Sequence, residues 1–430
     1  MSAELISILV LVVVFVIATT RSINMGALAF AAAFGVGELV ADLDADKIFA
    51  GFPGDLFVVL VGVTYLFAIA RSNGTTNWLV HASIRLVRGR VVLIPWVMFV
   101  LTGALTAIGA VSPAAVAIVA PIALSFAARY AISPLLMGAM VVHGAQGGGF
   151  SPISIYGTIV NGIVERENLP GSAITLFLAS LVVNIVIAGV VFVLFGGLKL
   201  AKTDALAGGS GTAAEGPDDA DETHATDAAA ARLTPARIAT LAALVALVVA
   251  VLAFDLDAGL TSITLAVLLA ACWPEDSRNA VSQIAWSTVL LICGVLTYVG
   301  VLDQMGTIDW AGEGVSDIGV PLLSAVLLCY IGALVSAFAS SVGIVGALIP
   351  LAVPFLAQGE IGAVGMVAAL AVSATVVDVS PFSTNGALVL AAAPGVDRER
   401  FFRQLMVYGG IVVAVVPAVV WLALVVPDWG

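Results

Sequence analysis

The chain is a succession of long apolar runs separated by short polar segments. In the first half the runs lie near 5–20, 24–41, 55–70, 91–128, 132–163 and 171–198. In the second half they lie near 238–254, 258–273, 284–302, 318–357, 361–394 and 404–427. Each run is continuous rather than alternating, so the pattern predicts membrane-crossing helices and not the strands of a barrel. The run at 91–128 is interrupted at Gly109-Ala110-Val111-Ser112-Pro113. Its second arm, taken to start near residue 115 and end at 128, is too short at about 1.5 Å per residue for a hydrocarbon core of about 30 Å. A re-entrant hairpin is therefore expected there, and the run at 318–357, broken at Ser340-Ser341, is expected to be its twin. The runs at 132–163 and 361–394 contain Ser151-Pro152 and Ser380-Pro381, which predict a broken helix in each. No basic residue precedes Ile6–Thr19, so that run reads as an uncleaved first span.

The two halves resemble each other. Gly74-Thr75 and Trp78 recur as Gly306-Thr307 and Trp310, an offset of 232. Gly103-Ala104-Leu105, Ser112 with Pro121, and Ser151-Pro152 with Ser154 and Gly157 recur as Gly332-Ala333-Leu334, Ser341 with Pro350, and Ser380-Pro381 with Ser383 and Gly386, each at an offset of 229. Matches in order at a nearly constant offset indicate duplication. The expected organisation is a first repeat over 1–200, a linker over 201–232 and a second repeat over 233–430. With the hairpins not crossing, each half crosses five times, and the repeats are inverted. The basic residues test this count. Fourteen fall on one face (Arg21, Arg71, Arg85, Arg88, Arg90, Arg129, Lys199, Lys202, Arg232, Arg237, Arg278, Arg398, Arg400 and Arg403), against Lys47 and Arg166 on the other. The positive-inside rule then places both termini outside and the linker in the cytoplasm of a cell inner (plasma) membrane protein.

Composition narrows the function. Of 430 residues 61 % are hydrophobic and 10 % charged, against about 25 % charged in a soluble domain. Lys and Arg number 16 against 28 Asp and Glu, a net charge of −12, which excludes a nucleic-acid-binding module. Half of that excess lies in residues 201–231, where seven acids face only Lys202 and the Gly/Ala/Asp composition reads as a solvated linker. Cys272, Cys293 and Cys329 sit in apolar runs and make no disulfide framework.

Four interruptions fall at membrane depth, at 109–113, 147–152, 338–343 and 378–386. Non-helical backbone is tolerated there only inside protein or along a wet cavity. Helix N-termini at such breaks offer N–H groups to an anion, and free carbonyls offer ligands to a cation. Each feature also has a plain packing explanation. Gly147-Gly148-Gly149 can serve close helix contact, and single serines often join membrane helices. Clustering at symmetric breaks is what singles out Ser341, Ser383, Thr384 and Asn385. Asp378 either holds a coupling cation or makes a structural hydrogen bond. His143 is either a packing residue or a substrate or proton ligand. His81, near Arg85 and Arg88, reads as a surface residue, and His224 lies in the linker. No metal-ligand motif, aspartate pair or Ser/His dyad is present, so no enzyme is expected.

The first half is similar to the N-terminal region of bacterial MatC-type dicarboxylate (malonate) carriers. The likeness rests on Gly51-Phe52-Pro53-Gly54-Asp55-Leu56-Phe57, on Arg71-Ser72-Asn73-Gly74-Thr75-Thr76-Asn77-Trp78, and on Gly109 to Ala115 with Pro121. The plan of the whole chain resembles the divalent anion:sodium symporters of the ion-transporter superfamily. That resemblance implies an all-α polytopic fold of two inverted repeats, each of five transmembrane helices with a re-entrant hairpin and a broken helix. It implies a Ser-Asn-Thr motif at each hairpin tip; the matching positions, Val111-Ser112-Pro113 and Ser340-Ser341-Val342, lack the Asn and Thr. The candidate substrate-binding residues are Ser112, Ser151, Ser154, Ser340, Ser341, Ser380, Ser383, Thr384 and Asn385. The candidate cation-binding residues are Ser112, Gly149, Ser341, Gly343 and Asp378. The resemblance further implies an elevator motion against a scaffold that forms a homodimer.

The expected activity is secondary active uptake of a malonate- or succinate-like dicarboxylate, coupled to Na+ or H+ and needing no cofactor. A dianion entering a cell at about −100 mV faces about 4.6 kcal/mol, an exclusion of over a thousandfold, so uptake needs cations. Every Arg and Lys maps to a membrane face, leaving helix dipoles, hydroxyls and bound cations to offset the carboxylates. The alternative is a cation/proton antiporter using Asp378.

Overall fold

The computed structural model describes residues 2–21, 23–85, 90–200, 233–254, 256–307, 310, 321–337, 341–357, 361–393 and 396–427. The linker with His224, and Ser340 at the second hairpin, lie outside these, as does the side chain of His81.

The described residues form helices and connecting turns, with no strand among them. The first half contains α1 (Ala3–Thr20), α2 (Met25–Leu39), α3 (Ala45–Ala50), α4 (Gly54–Ser72), α5 (Thr75–Arg85), α6 (Ile94–Ala107), α7 (Ser112–Arg129), α8 (Pro134–Gly148), α9 (Ile155–Arg166) and α10 (Ala173–Leu194). The second contains α11 (Pro235–Phe254), α12 (Ala258–Cys272), α13 (Trp286–Gln304), α14 (Pro321–Ser336), α15 (Ser341–Ala357), α16 (Ala363–Val376), α17 (Thr384–Ala392) and α18 (Arg398–Leu424). Polar residues start the apolar helices. Asn24, Ser133, Ser172 and Asp257 each accept a hydrogen bond from a first-turn N–H of the helix that follows, satisfying donors that lipid cannot. Among the described residues six helices are long and apolar enough to cross a membrane, and six shorter apolar helices accompany them. The chain is a multi-pass membrane protein.

Several helix contacts between the halves come in reciprocal pairs. Helix α4 packs on α12 while its counterpart α13 packs on α2, and α7 packs on α17 while its counterpart α15 packs on α9. Glycine makes the first pair of crossings close. A Cβ added at Gly62 would lie 2.6 Å from the Gly259 carbonyl oxygen, and one at Gly294 would lie 2.1 Å from that of Gly26.

The breaks differ in extent from the sequence expectation. Ser112 and Pro113 do not belong to the first interruption; they open α7, where proline at the first positions sacrifices no intrahelical bond. Helix α7 thereby has 18 residues, enough by length to cross a membrane, and the argument that this arm is too short to span does not hold. Helix α8 continues through Gly148, so the first broken helix is open over 149–154. The second is open over 377–383, and Thr384, Asn385 and Gly386 are already helical.

Candidate functional site

Six buried polar side chains meet where these helix ends converge. Ser112 and Ser341 come from the starts of α7 and α15, and Gln146 from the last turn of α8. Tyr156 comes from the first turn of α9, Asp378 from just beyond α16, and Asn385 from the first turn of α17. None is more than 4 % exposed. Gln146 Nε2 and Asn385 Nδ2 each donate to Asp378 Oδ2 at 2.9 Å. The Asn385 amide also donates to Ser112 Oγ at 2.7 Å, which joins the broken helix of one half to the start of α7 in the other. Ser336 Oγ donates to Ser341 Oγ at 2.9 Å. The Tyr156 phenol lies beside Gln146, Ser112, Ser341 and Asp378.

Three acceptors in this cluster have no donor among the described residues: Asp378 Oδ1, Gln146 Oε1 and Asn385 Oδ1. No described Arg or Lys belongs to it. An isolated buried carboxylate is costly, and buried acceptors are normally satisfied. Carboxylate and amide oxygens left without a formed hydrogen bond, with only hydroxyl groups nearby, are the chemistry that a proton or a hard monovalent cation satisfies.

The local fold explains how the breaks hold their shape. Ser154 Oγ accepts from Gly157 N and donates to the carbonyls of Gly149 and Ser151. Ser383 Oγ does the same, accepting from Gly386 N at 3.3 Å and donating to the Asp378 and Ser380 carbonyls at 2.6 and 2.7 Å. Both hydroxyls are thus committed to the N-caps of α9 and α17. Gly149 accepts from Ser154 through its carbonyl, the counterpart of the Asp378 carbonyl in the other half. Ser151 Oγ donates to the Ala107 carbonyl and ties the break to the C-terminal end of α6. Ser380 Oγ accepts from Phe382 N at 3.3 Å.

The structure therefore brings together Ser112, Ser341, Asp378 and Asn385 from the candidate residues, and places Ser151, Ser154, Gly149, Ser380 and Ser383 in the turns that support them. Thr384 is exposed and stands apart. A side chain added at Gly343 would meet Leu291 and Met25. Gln146 and Tyr156 were not among the sequence candidates. An offset of 229 from Asn385 falls on Tyr156, so the repeat held that signal.

His143 is a connector. Asn184 Nδ2 donates to the Ser180 carbonyl, leaving Asn184 Oδ1 to accept from His143 Nδ1 at 2.9 Å. His143 Nε2 then accepts from the Tyr408 hydroxyl at 2.6 Å. Both ring nitrogens are used, and α8, α10 and α18 are bound together. Tyr408→Phe strands the buried Nε2 and is expected to cost about 1–3 kcal/mol. The check is a lower thermal unfolding temperature in detergent; an unchanged one contradicts this role.

Residues 1–149 match the family model described as the dicarboxylate carrier protein MatC N-terminus. Among curated proteins none matches the chain. Among solved structures, the YdaH transporter of Alcanivorax borkumensis, whose topology was described as unusual, superposes with a TM-score of 0.57 at 15 % identity, over 92 % of this chain and 95 % of that one. The N-terminal 149 residues are thus similar to the dicarboxylate carrier protein MatC N-terminus, and the chain as a whole has the fold of the YdaH transporter.

Proposed function

We propose that this protein is a secondary active transporter that carries a small dicarboxylate, malonate or a succinate-like dianion, across the cell inner membrane in symport with Na+ or H+. The observation that carries the reading is the Asp378 cluster. It puts a buried carboxylate among three oxygens without a hydrogen-bond partner, one of them its own, where the starts of α7 and α15 meet the turns at 149–154 and 377–383. The dicarboxylate carrier match over residues 1–149 supplies the substrate class. A dianion beside a buried carboxylate is repelled unless a cation lies between them. Cation binding at Asp378 therefore comes first and makes room for the anion near the starts of α7 and α15. Their N–H groups, with Ser112 and Ser341, are the donors proposed to receive its carboxylates.

In this reading the halves are inverted repeats, 1–200 and 233–430, and the paired hairpins and broken helices move as an elevator against the remaining helices of a lipid-embedded homodimer. Both termini lie outside and the linker is cytoplasmic. The orphaned Asp378 Oδ1 also fits a cation/proton antiporter. Reconstitution separates the two. Labelled malonate or succinate is expected to accumulate in proteoliposomes only under an inward sodium or proton gradient. Absence of gradient-driven uptake of every C3–C6 dicarboxylate, with cation exchange proceeding in its absence, would establish the antiporter instead.

A further inference from the structure

Two small cavities lie at opposite ends of α13. The one at its start has a volume of about 270 Å³ and reaches the first hairpin tip, with Val111, Pro113 and Ala114 in its wall. Arg71 and Gln283 line it as well, and both are exposed. Arg71 donates through Nε and Nη2 to Gln283 Oε1 at 3.3 and 3.0 Å. The partner is a neutral amide, and no acid is among the described residues that line this cavity, so the guanidinium charge is uncompensated there while its orientation is fixed. Thr76, 2 % exposed, lines the same cavity, and its hydroxyl has no hydrogen-bond partner among the described residues.

The cavity at the far end of α13 has about 190 Å³ and the opposite character. The residue 232 positions after Arg71 is Asp303, which lines this second cavity with Glu167 and Arg166. Burial and the nearby Asp303 charge push the Glu167 carboxyl above its ordinary range. The duplicated position thus carries a cation at one mouth and an acid at the other.

We propose that Arg71 and Thr76, with Gln283 as the positioning residue, form a staging site that holds one carboxylate of the transported anion directly beneath the first hairpin tip. The inference rests on the dicarboxylate reading and adds a subsite to it. A guanidinium held by Gln283 keeps its remaining N–H groups free for a carboxylate in the bidentate geometry that lysine does not reproduce. The Thr76 hydroxyl donates the further bond. A positive mouth raises the local concentration of a dianion, and the acidic mouth repels it. The arrangement therefore concentrates the anion on the Arg71 face, the cytoplasmic one in the proposed topology, where the site receives the anion from the first hairpin during uptake and loads it in the reverse direction.

The test uses A114C in a background of Cys272→Ser, Cys293→Ala and Cys329→Ala, probed with anionic and cationic methanethiosulfonate reagents. The anionic reagent is expected to react about tenfold faster, from the attraction of one uncompensated charge. R71Q removes that preference, and malonate protects the introduced thiol only when Arg71 is present. In parallel, in vesicles oriented so that malonate is presented to the Arg71 face, the cytoplasmic one in the proposed topology, R71Q raises the KM for malonate transport about tenfold with little change in the maximal rate, and R71K restores part of the loss. A preference for the cationic reagent, a preference that R71Q leaves intact, or no labelling from either face overturns the site. Dicarboxylate transport whose KM from the Arg71 face is unaltered in R71Q, with charge-blind labelling, removes the staging site and leaves the transport reading standing. Arg71-dependent labelling and malonate protection without dicarboxylate uptake does the reverse.

Discussion

Asp378→Asn is expected to reduce gradient-driven malonate uptake by more than about a hundredfold while leaving the protein folded. Asparagine keeps an oxygen for the Gln146 and Asn385 amides to donate to, so the cluster retains its internal bonds. What it loses is the charge. A carboxylate and a monovalent cation about 4 Å apart attract by about 4 kcal/mol at an effective dielectric constant of about 20. That is close to a thousandfold in cation affinity before desolvation is counted. Removing an uncompensated buried charge relieves its desolvation cost, so the thermal unfolding temperature of the variant is expected to match or exceed that of the unaltered protein. Stabilisation by sodium or by acid should vanish with it. Asp378→Glu keeps the charge but displaces it and should retain a measurable fraction of uptake. Undiminished coupled uptake in the asparagine variant would show that Asp378 is a structural hydrogen-bond acceptor only.

Gly386→Ala is expected to abolish uptake and to lower stability by about 3 kcal/mol. A Cβ there would lie 1.9 Å from the Ser380 carbonyl oxygen, where backbone cannot yield without reshaping the turn. Gly386 N donates to the Asp378 carbonyl at 3.1 Å, so the reshaped turn moves the carboxylate itself. Its counterpart Gly157 shows the same approach, 2.0 Å to the Ser151 carbonyl oxygen. Gly157→Ala should cost as much stability, since overpacked sites lose about 1–3 kcal/mol and backbone clashes sit at the upper end. Its effect on cation coupling should be smaller, because the residue held in the Asp378 position of the first half is Gly149. Gly189→Ala is the control. Nothing lies within 4 Å of the added carbon in the C-terminal part of α10, and the change should be neutral or slightly stabilising. Thermal unfolding and uptake measured on all three variants check the pattern; a folded and active Gly386→Ala protein would refute the strained-turn account.

The near-constant offset between the halves made most of the site readable. It marked Ser112 with Ser341, and the Ser-Pro turns with their capping serines, because those residues are the same in both repeats. Asp378 stood out as an acid inside an apolar run. Gln146 and Tyr156 escaped for the opposite reason. Their counterparts are Thr375 and Asn385, so identity between repeats gave no mark. The cluster lies where the halves diverge: the Asp378 carboxylate has Gly149 as its counterpart, so only one half supplies an acid. Helix boundaries were less legible than helix identity. Ser112-Pro113 reads as a break in a linear pattern, yet in three dimensions it is a helix start, and this added the turn that gives α7 its full 18 residues. Thr384 was drawn into the candidate set by adjacency to Ser383 and Asn385. On a helix, neighbouring residues point in different directions, and it faces away.

The most direct test of the central claim, that cations held at Asp378 carry a dicarboxylate through this fold, is to count both solutes in the same vesicles. Labelled malonate and sodium, or malonate and internal pH, are followed together after a gradient is imposed. A dianion drawn against about −100 mV requires at least about two monovalent cations to remove the electrical barrier. Malonate and cation are expected to enter in a fixed ratio of about two cations or more per anion, with both fluxes lost in Asp378→Asn. Malonate entering with no accompanying cation, or cation crossing at the same rate with and without malonate, would contradict it.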